Sequence, residues 1–191
     1  GFWGSRVRKI RAAYFFFLYT LLGSVLFLLT IIYIYYQIGT TSFEILTTVS
    51  FTLKEQKILW LSFFVSFATK IPMVPVHLWL PEAHVEAPTS GSVILAGILL
   101  KLGTYGFIRF LFPFFPQSCY YFSPLVYSIA AISIVYTSLT AIRQTDFKRI
   151  IAYTSIAHMN LVILGLFSFN VIGIEGALLQ SLSHGFVASA L

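Results

Sequence analysis

The sequence is a succession of apolar runs separated by short polar stretches. The runs cover residues 12–36, 58–80, 91–112, 123–142, 150–167 and 172–191, here segments A to F. Each is close to or above the roughly 20 residues that a helix needs to cross the hydrocarbon core of a bilayer. The pattern predicts an all-α polytopic membrane protein, with one membrane domain over residues 1–191 and six transmembrane segments. One segment carries its own interruption. Residues 67–81, in segment B, read FATKIPMVPVHLWLP. Pro72 and Pro75 lack the N–H that a helical ladder needs and obstruct a carbonyl one turn back, so the helix is predicted to break between Lys70 and Pro75. In membrane proteins such breaks leave carbonyls and half-helix ends lining a hydrated cavity. The C-terminal end of a half-helix is negative in dipole terms and suits an ammonium beside it.

Composition agrees with a life in lipid. Hydrophobic residues make up 58% of the chain and charged residues 9%, where a soluble domain carries about 25% charged. Twelve Lys and Arg against six Asp and Glu give a formal charge of +6, too scattered for a nucleic-acid footprint. Short connections make the chain cross back and forth. The N-terminus and the B/C and D/E loops then share one side, with Arg6, Arg8, Lys9, Arg11, Arg143, Lys148 and Arg149, while Lys54, Lys57 and Arg109 lie on the other. The side richer in cations is predicted to face the matrix or cytoplasm. The single cysteine, Cys119, excludes an internal disulfide and a cysteine-ligated cluster or zinc site built by this chain alone. No cofactor or metal is expected. A chain that starts at Gly1 and stops at Leu191 inside an apolar run reads as an internal piece of a longer protein, and run A exceeds the roughly 7 to 15 residues of a signal-peptide core.

Two of the twelve cations lie in no loop. Lys70 is 12 residues past Ile58 and Lys101 is 10 past Gly91, which at about 1.5 Å per residue puts them roughly 18 and 15 Å deep. His158, 8 residues into segment E, and His184, 12 into segment F, reach similar depth. A midplane ammonium costs about 2.5 to 3.5 kcal/mol by insertion scales, so two of them point to a function. Snorkelling to the headgroups would explain a lysine within a turn or two of the interface, and these are deeper. A lone histidine on a helix is more often a packing residue than a titrating one. No carboxylate fits as the partner of Lys70. Glu44 and Glu55 fall in the outer A/B loop, and Glu175 opens segment F. Glu82 and Glu86, with His77 and His84, read as an amphipathic surface segment at the inner interface. The counter-ion is expected outside these 191 residues.

The stretch FATKIPMVPVHLWLPEAHVEAPTSGSVILAGILLKLGTYGFIRF resembles the core of the antiporter-like membrane subunits of respiratory complex I, NADH:ubiquinone oxidoreductase. DFKRIIAYTSIAHMNLVILGL and GALLQSLSHGFVASAL continue the pattern in order, so the likeness extends over nearly the whole chain. The wording WLPEAHVEAPTSGSV is that of one of the three related large subunits, where another would resemble WLPDAMEGPTPVSA. The resemblance implies a fold of paired inverted five-helix repeats, with A to C as the sixth to eighth helices and D to F as the ninth to eleventh. It implies that Lys70 is the lysine of the broken seventh helix, that Lys101 is the linking lysine of the eighth, and that His158 and His184 continue a proton relay towards the second half.

The expected function is therefore proton translocation by a membrane-arm subunit of an NADH:ubiquinone oxidoreductase, with Lys70, Lys101, His158 and His184 as the relay. The expected partners are other membrane-arm subunits and lipid, and not nucleic acid. NADH, flavin, iron–sulfur clusters and quinone are expected on other subunits. Thr69, Tyr105, Tyr153, Ser155, Asn160, Gln180 and Ser183 could order water along the relay or pack between helices. The alternatives are a sodium/proton antiporter subunit, which shares the lysine pattern, a haem carrier using His158 and His184, for which nothing else speaks, and a structural membrane spacer, which leaves the two midplane lysines unexplained. Twenty Phe and eleven Tyr, with abundant Ile, reflect T- and A-rich codons. With the resemblance, the expected location is the inner mitochondrial membrane, with a bacterial plasma membrane as the alternative.

Overall fold

The computed structural model describes residues 9–190; Arg6, Arg8 and Leu191 lie outside them. Every regular element among the described residues is a helix: α1 (Lys9–Ile38), α2 (Phe43–Thr48), α3 (Leu53–Lys70), α4 (Trp79–Glu86), α5 (Thr89–Phe114), α6 (Pro116–Ile142), α7 (Phe147–Leu166) and α8 (Val171–Ala190). Five of these, α1, α5, α6, α7 and α8, are long and apolar enough to cross a membrane. Helix α3 carries Lys54, Glu55, Lys57 and Lys70 within 18 residues and falls short of that measure. Segment B is thus two helices, α3 and α4, joined by turns over residues 71–78.

Neighbouring helices run antiparallel. Along α1 and the α3–α4 stretch the pairs Tyr33–Glu55, Phe27–Phe63 and Phe16–Trp79 advance in opposite directions, and α3 with the residue after it runs against α5 with the residue after it, through Phe63–Phe115, Phe67–Phe107 and Ile71–Gly103. Aromatic residues fill the core between them. Trp60 stacks on Phe64 at 4.8 Å and on Phe122 of α6 at 4.5 Å, while its indole N–H donates to Cys119 Sγ at 3.2 Å. Offset and edge contacts of this kind add about 0.5–1.5 kcal/mol each beyond area burial, which matters where lipid supplies no hydrophobic drive. The outer faces stay apolar and open. Leu22, Leu29 and Ile32 of α1, and Leu179, Leu182 and Phe186 of α8, are more than half exposed, as expected of surfaces that meet lipid or further helices.

Helix α3 stops at Lys70, and the predicted break lies where Pro72 and Pro75 placed it. Several of the backbone groups around it have partners. Ile71 N–H donates to Phe67 O at 2.8 Å and Met73 N–H to Ala68 O at 3.3 Å. Thr69 O accepts from Trp79 Nε1 at 2.9 Å. Pro72 O accepts from Asn160 Nδ2 at 3.4 Å, and Val74 N–H donates to Ser133 Oγ at 3.0 Å. Buried backbone groups without partners would cost about 1–3 kcal/mol each, so α4, α6 and α7 jointly hold the break.

Helix α4 corrects one expectation. It is not a surface segment: it packs between α1 and α7, and His77, His84 and Glu86 are buried. The break turns the chain back into the bundle, so polar residues that read as an interface in the sequence are enclosed. Only Glu82 keeps a partly open setting, 3.5 Å from Arg149.

Candidate functional site

Helix α5 is not a uniform α-helix. Its turns at Leu95–Leu99 and Phe107–Leu111 are π-helical, and single π turns inside α-helices frequently mark functional sites. Lys101 follows the first of them. Its ammonium Nζ lies 2.7 Å from Ala96 O, five residues back, and 2.9 Å from His184 Nδ1 of α8. An ammonium has donors and no lone pair. With Lys101 charged, it donates to both atoms and His184 Nδ1 must be unprotonated; with Lys101 neutral, Nδ1–H can donate to the amine. The same geometry therefore holds in either state, with the bonding proton on one side or the other.

Gly185 packs beside this pair. A Cβ there would sit 3.5 Å from Lys101 Cε and 3.7 Å from Gly97 O, ordinary contact, so only a side chain larger than alanine would press on the lysine. His184 is buried, and its Nε2 has no partner among the described residues. Its ring centroid lies 5.9 Å from that of His158 on α7. Gln180 Nε2, one turn before His184, reaches His158 Nδ1 at 3.4 Å. Lys101 and His184 are thus joined by a hydrogen bond across α5 and α8, and His158, exposed on α7, lies beside them by ring approach.

Lys70 stands apart from that contact chain. It is half-buried at the C-terminal tip of α3, and no side-chain hydrogen bond or ion pair joins it to any of the described residues. Its level in the bundle is nevertheless that of the Lys101–His184 pair. Ile71 packs on Gly103, two residues from Lys101, and Pro72 O meets Asn160, two residues from His158. Ser66, one turn before Lys70, and Thr104, one turn after Lys101, each bury a hydroxyl with no partner among the described residues.

Of the other polar residues expected near the relay, Asn160 holds the break, Gln180 meets His158, and Thr69 Oγ1 bonds Ser66 O at 2.8 Å. Tyr105 is exposed and packs on Phe110. Ser133, which accepts from the break, and Trp79, which caps α3, went unnoticed in the sequence. Their partners lie 59 and 10 residues away, and no local pattern announces such bonds. Among the described residues no group of three or more His, Cys, Asp or Glu could hold a metal.

The profile of one membrane family, described as NADH:quinone oxidoreductase/Mrp antiporter, TM, matches residues 1–191. The chain is 63% identical over 191 residues to NADH-ubiquinone oxidoreductase chain 4 of Marchantia polymorpha and 66% identical to that of Prototheca wickerhamii. Those matches take in all of this chain but only 39% and 36% of the relatives, so it spans under two-fifths of their length. Among solved structures, a chain of respiratory complex I from Thermus thermophilus with bound NADH is 31% identical with a TM-score of 0.87, over 99% of this chain and 41% of that one.

Proposed function

The chain belongs to the NADH:quinone oxidoreductase/Mrp antiporter membrane family, and from that membership we propose that it is part of a proton-translocating membrane-arm subunit of an NADH:ubiquinone oxidoreductase in the inner mitochondrial membrane. The eukaryotic relatives that bear the chain 4 name support both the complex and the compartment. In this reading Lys70, Lys101, His184 and His158 carry the proton laterally, and other subunits hold NADH, flavin, iron–sulfur clusters and quinone.

The observation that carries the reading is the 2.9 Å bond between Lys101 Nζ and His184 Nδ1. It joins two bases on different helices through one shared proton site. With the amine protonated, Nζ donates to Nδ1 of an imidazole whose hydrogen is on Nε2; transfer of the bonding proton to Nδ1 leaves a neutral amine and an imidazolium, which then releases its Nε2 proton towards His158. The unpaired Nε2 of His184 and its nearness to His158 favour that direction of hand-over. Lys70, without an acid partner among the described residues, fits a site whose counter-ion is a carboxylate supplied from elsewhere.

The test is Lys101→Met in the assembled complex in sealed vesicles, reading protons pumped per NADH oxidised. Methionine fills similar space without a charge. Pumping should fall to the level of an uncoupled subunit while the complex still assembles. Wild-type stoichiometry would remove Lys101 from the path and the reading with it.

A further inference from the structure

The charged groups of the cation-rich end are unevenly matched. Arg149 lies 3.5 Å from Glu82 and 3.7 Å from Asp146, and Lys9 shares with Glu86 the walls of a cavity between α1, α4 and α5. Lys148 is exposed and has no carboxylate within ion-pair distance among the described residues. Its Nζ donates to Ala87 O at 3.1 Å, which uses one of three ammonium hydrogens and fixes the charge beside the start of α5. That helix end is positive in its own right, because its first N–H groups have no acceptor one turn back and no side chain caps them. A cation and the positive end of a dipole thus stand side by side.

Both open on one cavity of about 210 Å³ between α4, α5, α7 and α8, where Thr89 and Ser92 of α5, Lys148 of α7 and His84 of α4 form most of the polar wall. Among the described residues no carboxylate belongs to that wall. The volume is several times the roughly 30 Å³ that a water molecule takes in the liquid, enough for a tetrahedral oxyanion with its waters. His84 gives a sign independent of the helix end. It is 5% exposed, and its Nε2 has no partner among the described residues, although Lys148 is near enough to act on it electrostatically. With its hydrogen on Nε2, the ring is a buried donor in want of an acceptor. Ser92 Oγ donates to His84 O at 3.3 Å, a long bond that a charged oxygen would outcompete.

We propose that this cavity binds a phosphate group, borne by a lipid headgroup or by a free phosphate, with Lys148, the first turn of α5, the hydroxyls of Thr89 and Ser92 and the Nε2–H of His84 as its donors. Helix N-termini suit phosphate, and lysine serves it as a point charge. The oxygens of a phosphate accept from many directions, which matches donors that arrive from α4, α5 and α7. A carboxylate offers two oxygens in one plane, and a halide has no directed acceptor. None of Lys70, Lys101, His158 and His184 lines the cavity, so the site stands or falls apart from the relay.

The experiment follows the Lys148 ammonium directly. In the assembled complex, freed of bound lipid in detergent, acetylation of each lysine by acetic anhydride is read by peptide mass spectrometry at constant ionic strength, with chloride as the starting anion. Millimolar inorganic phosphate should slow labelling of Lys148 at least threefold if the source is a free phosphate; phosphatidylglycerol in the micelles, without free phosphate, should do so if the source is a headgroup. Lys54, exposed on α3 at the other end of the bundle, should keep its rate. Thr89→Pro deletes a hydroxyl and an N–H at the first helical position, where proline is well tolerated, and Pro88 already has the ψ of 160° that a following proline demands. It should remove at least half of the protection. Ser92→Ala should do the same, and it carries the test if the proline variant fails to assemble. Protection by neither phosphate nor phosphatidylglycerol would overturn the site, as would equal slowing at Lys54, or protection that both variants leave untouched.

Discussion

Gly103→Ala tests the packing that fixes the broken helix against α5. The added Cβ would stand 2.5 Å from Ile71 Cγ1, 3.1 Å from its Cδ1 and 3.2 Å from its backbone nitrogen. Ordinary contact begins near 3.4 Å, so the Ile71 side chain must withdraw by close to 1 Å and its backbone by a few tenths. Ile71 is fully buried, and its N–H is tied to Phe67 O at 2.8 Å, which leaves it little room. Overpacking of this kind costs about 1–3 kcal/mol, a shift of roughly 5- to 140-fold in any equilibrium that depends on the packed state. Because Ile71 follows Lys70 directly, the ammonium moves with it, and displacement on an ångström scale is enough to impair proton transfer. Two readouts apply: the temperature at which half the NADH oxidation of the complex is lost, and protons pumped per NADH. Both should drop. Ile71→Ala removes the clashing atoms, at its own cost of about 2–5 kcal/mol in lost packing. The double variant should therefore be at least about 1 kcal/mol more stable than the sum of the singles. Gly176→Ala, whose Cβ would meet nothing within 4 Å, is the control and should be neutral. Additive costs, or a Gly103→Ala protein that behaves as wild type, would refute the close approach.

Further outcomes follow from the same geometry. Lys70→Met should abolish pumping with assembly intact, and Lys70→Arg should fail as well, since a guanidinium keeps its proton at any accessible pH; wild-type pumping with arginine would show Lys70 to be a fixed charge. Asn160→Leu removes the donor to Pro72 O and should weaken the break by about 1–3 kcal/mol, read as faster deuterium uptake over residues 73–78 by mass spectrometry, and unchanged uptake would show that Asn160 does not hold the break. Replacing sodium by potassium in the pumping assay should leave the stoichiometry unchanged, while dependence on sodium would favour an antiporter over a proton pump.

Much of the architecture was legible because membrane insertion writes itself into composition. Uninterrupted apolar runs lead to helices, and Pro72 and Pro75 remove donors at positions where no continuous ladder survives. The mid-run lysines announced themselves by cost, since lipid rejects a charge that has nothing to do. Four things were hidden. The π turns of α5 hang on which carbonyl each N–H chooses, and LAGIL and FIRFL contain nothing that forces the longer choice. The burial of His77, His84 and Glu86 depends on the direction in which the chain leaves the break, which residues 71–78 set jointly with α6 and α7. The bonds from Ser133 and Asn160 to the break span 59 and 88 residues, beyond any periodicity. The bond between Lys101 and His184 likewise joins residues 83 apart, so the sequence could put them at one depth but not in contact.

The two π turns of α5 have a mechanical consequence. Each amounts to one surplus residue in the winding, a dislocation in a one-dimensional lattice. A dislocation glides: when an N–H hands its bond from one carbonyl to the next, the defect moves by one residue and the number of hydrogen bonds is conserved. The residues it passes turn by about 100° and advance about 1.5 Å. Leu100–Gly106, the single α-helical stretch that bears Lys101, is bracketed by two such defects, and so sits like a bearing between two races, able to rotate while α5 on either side stays still.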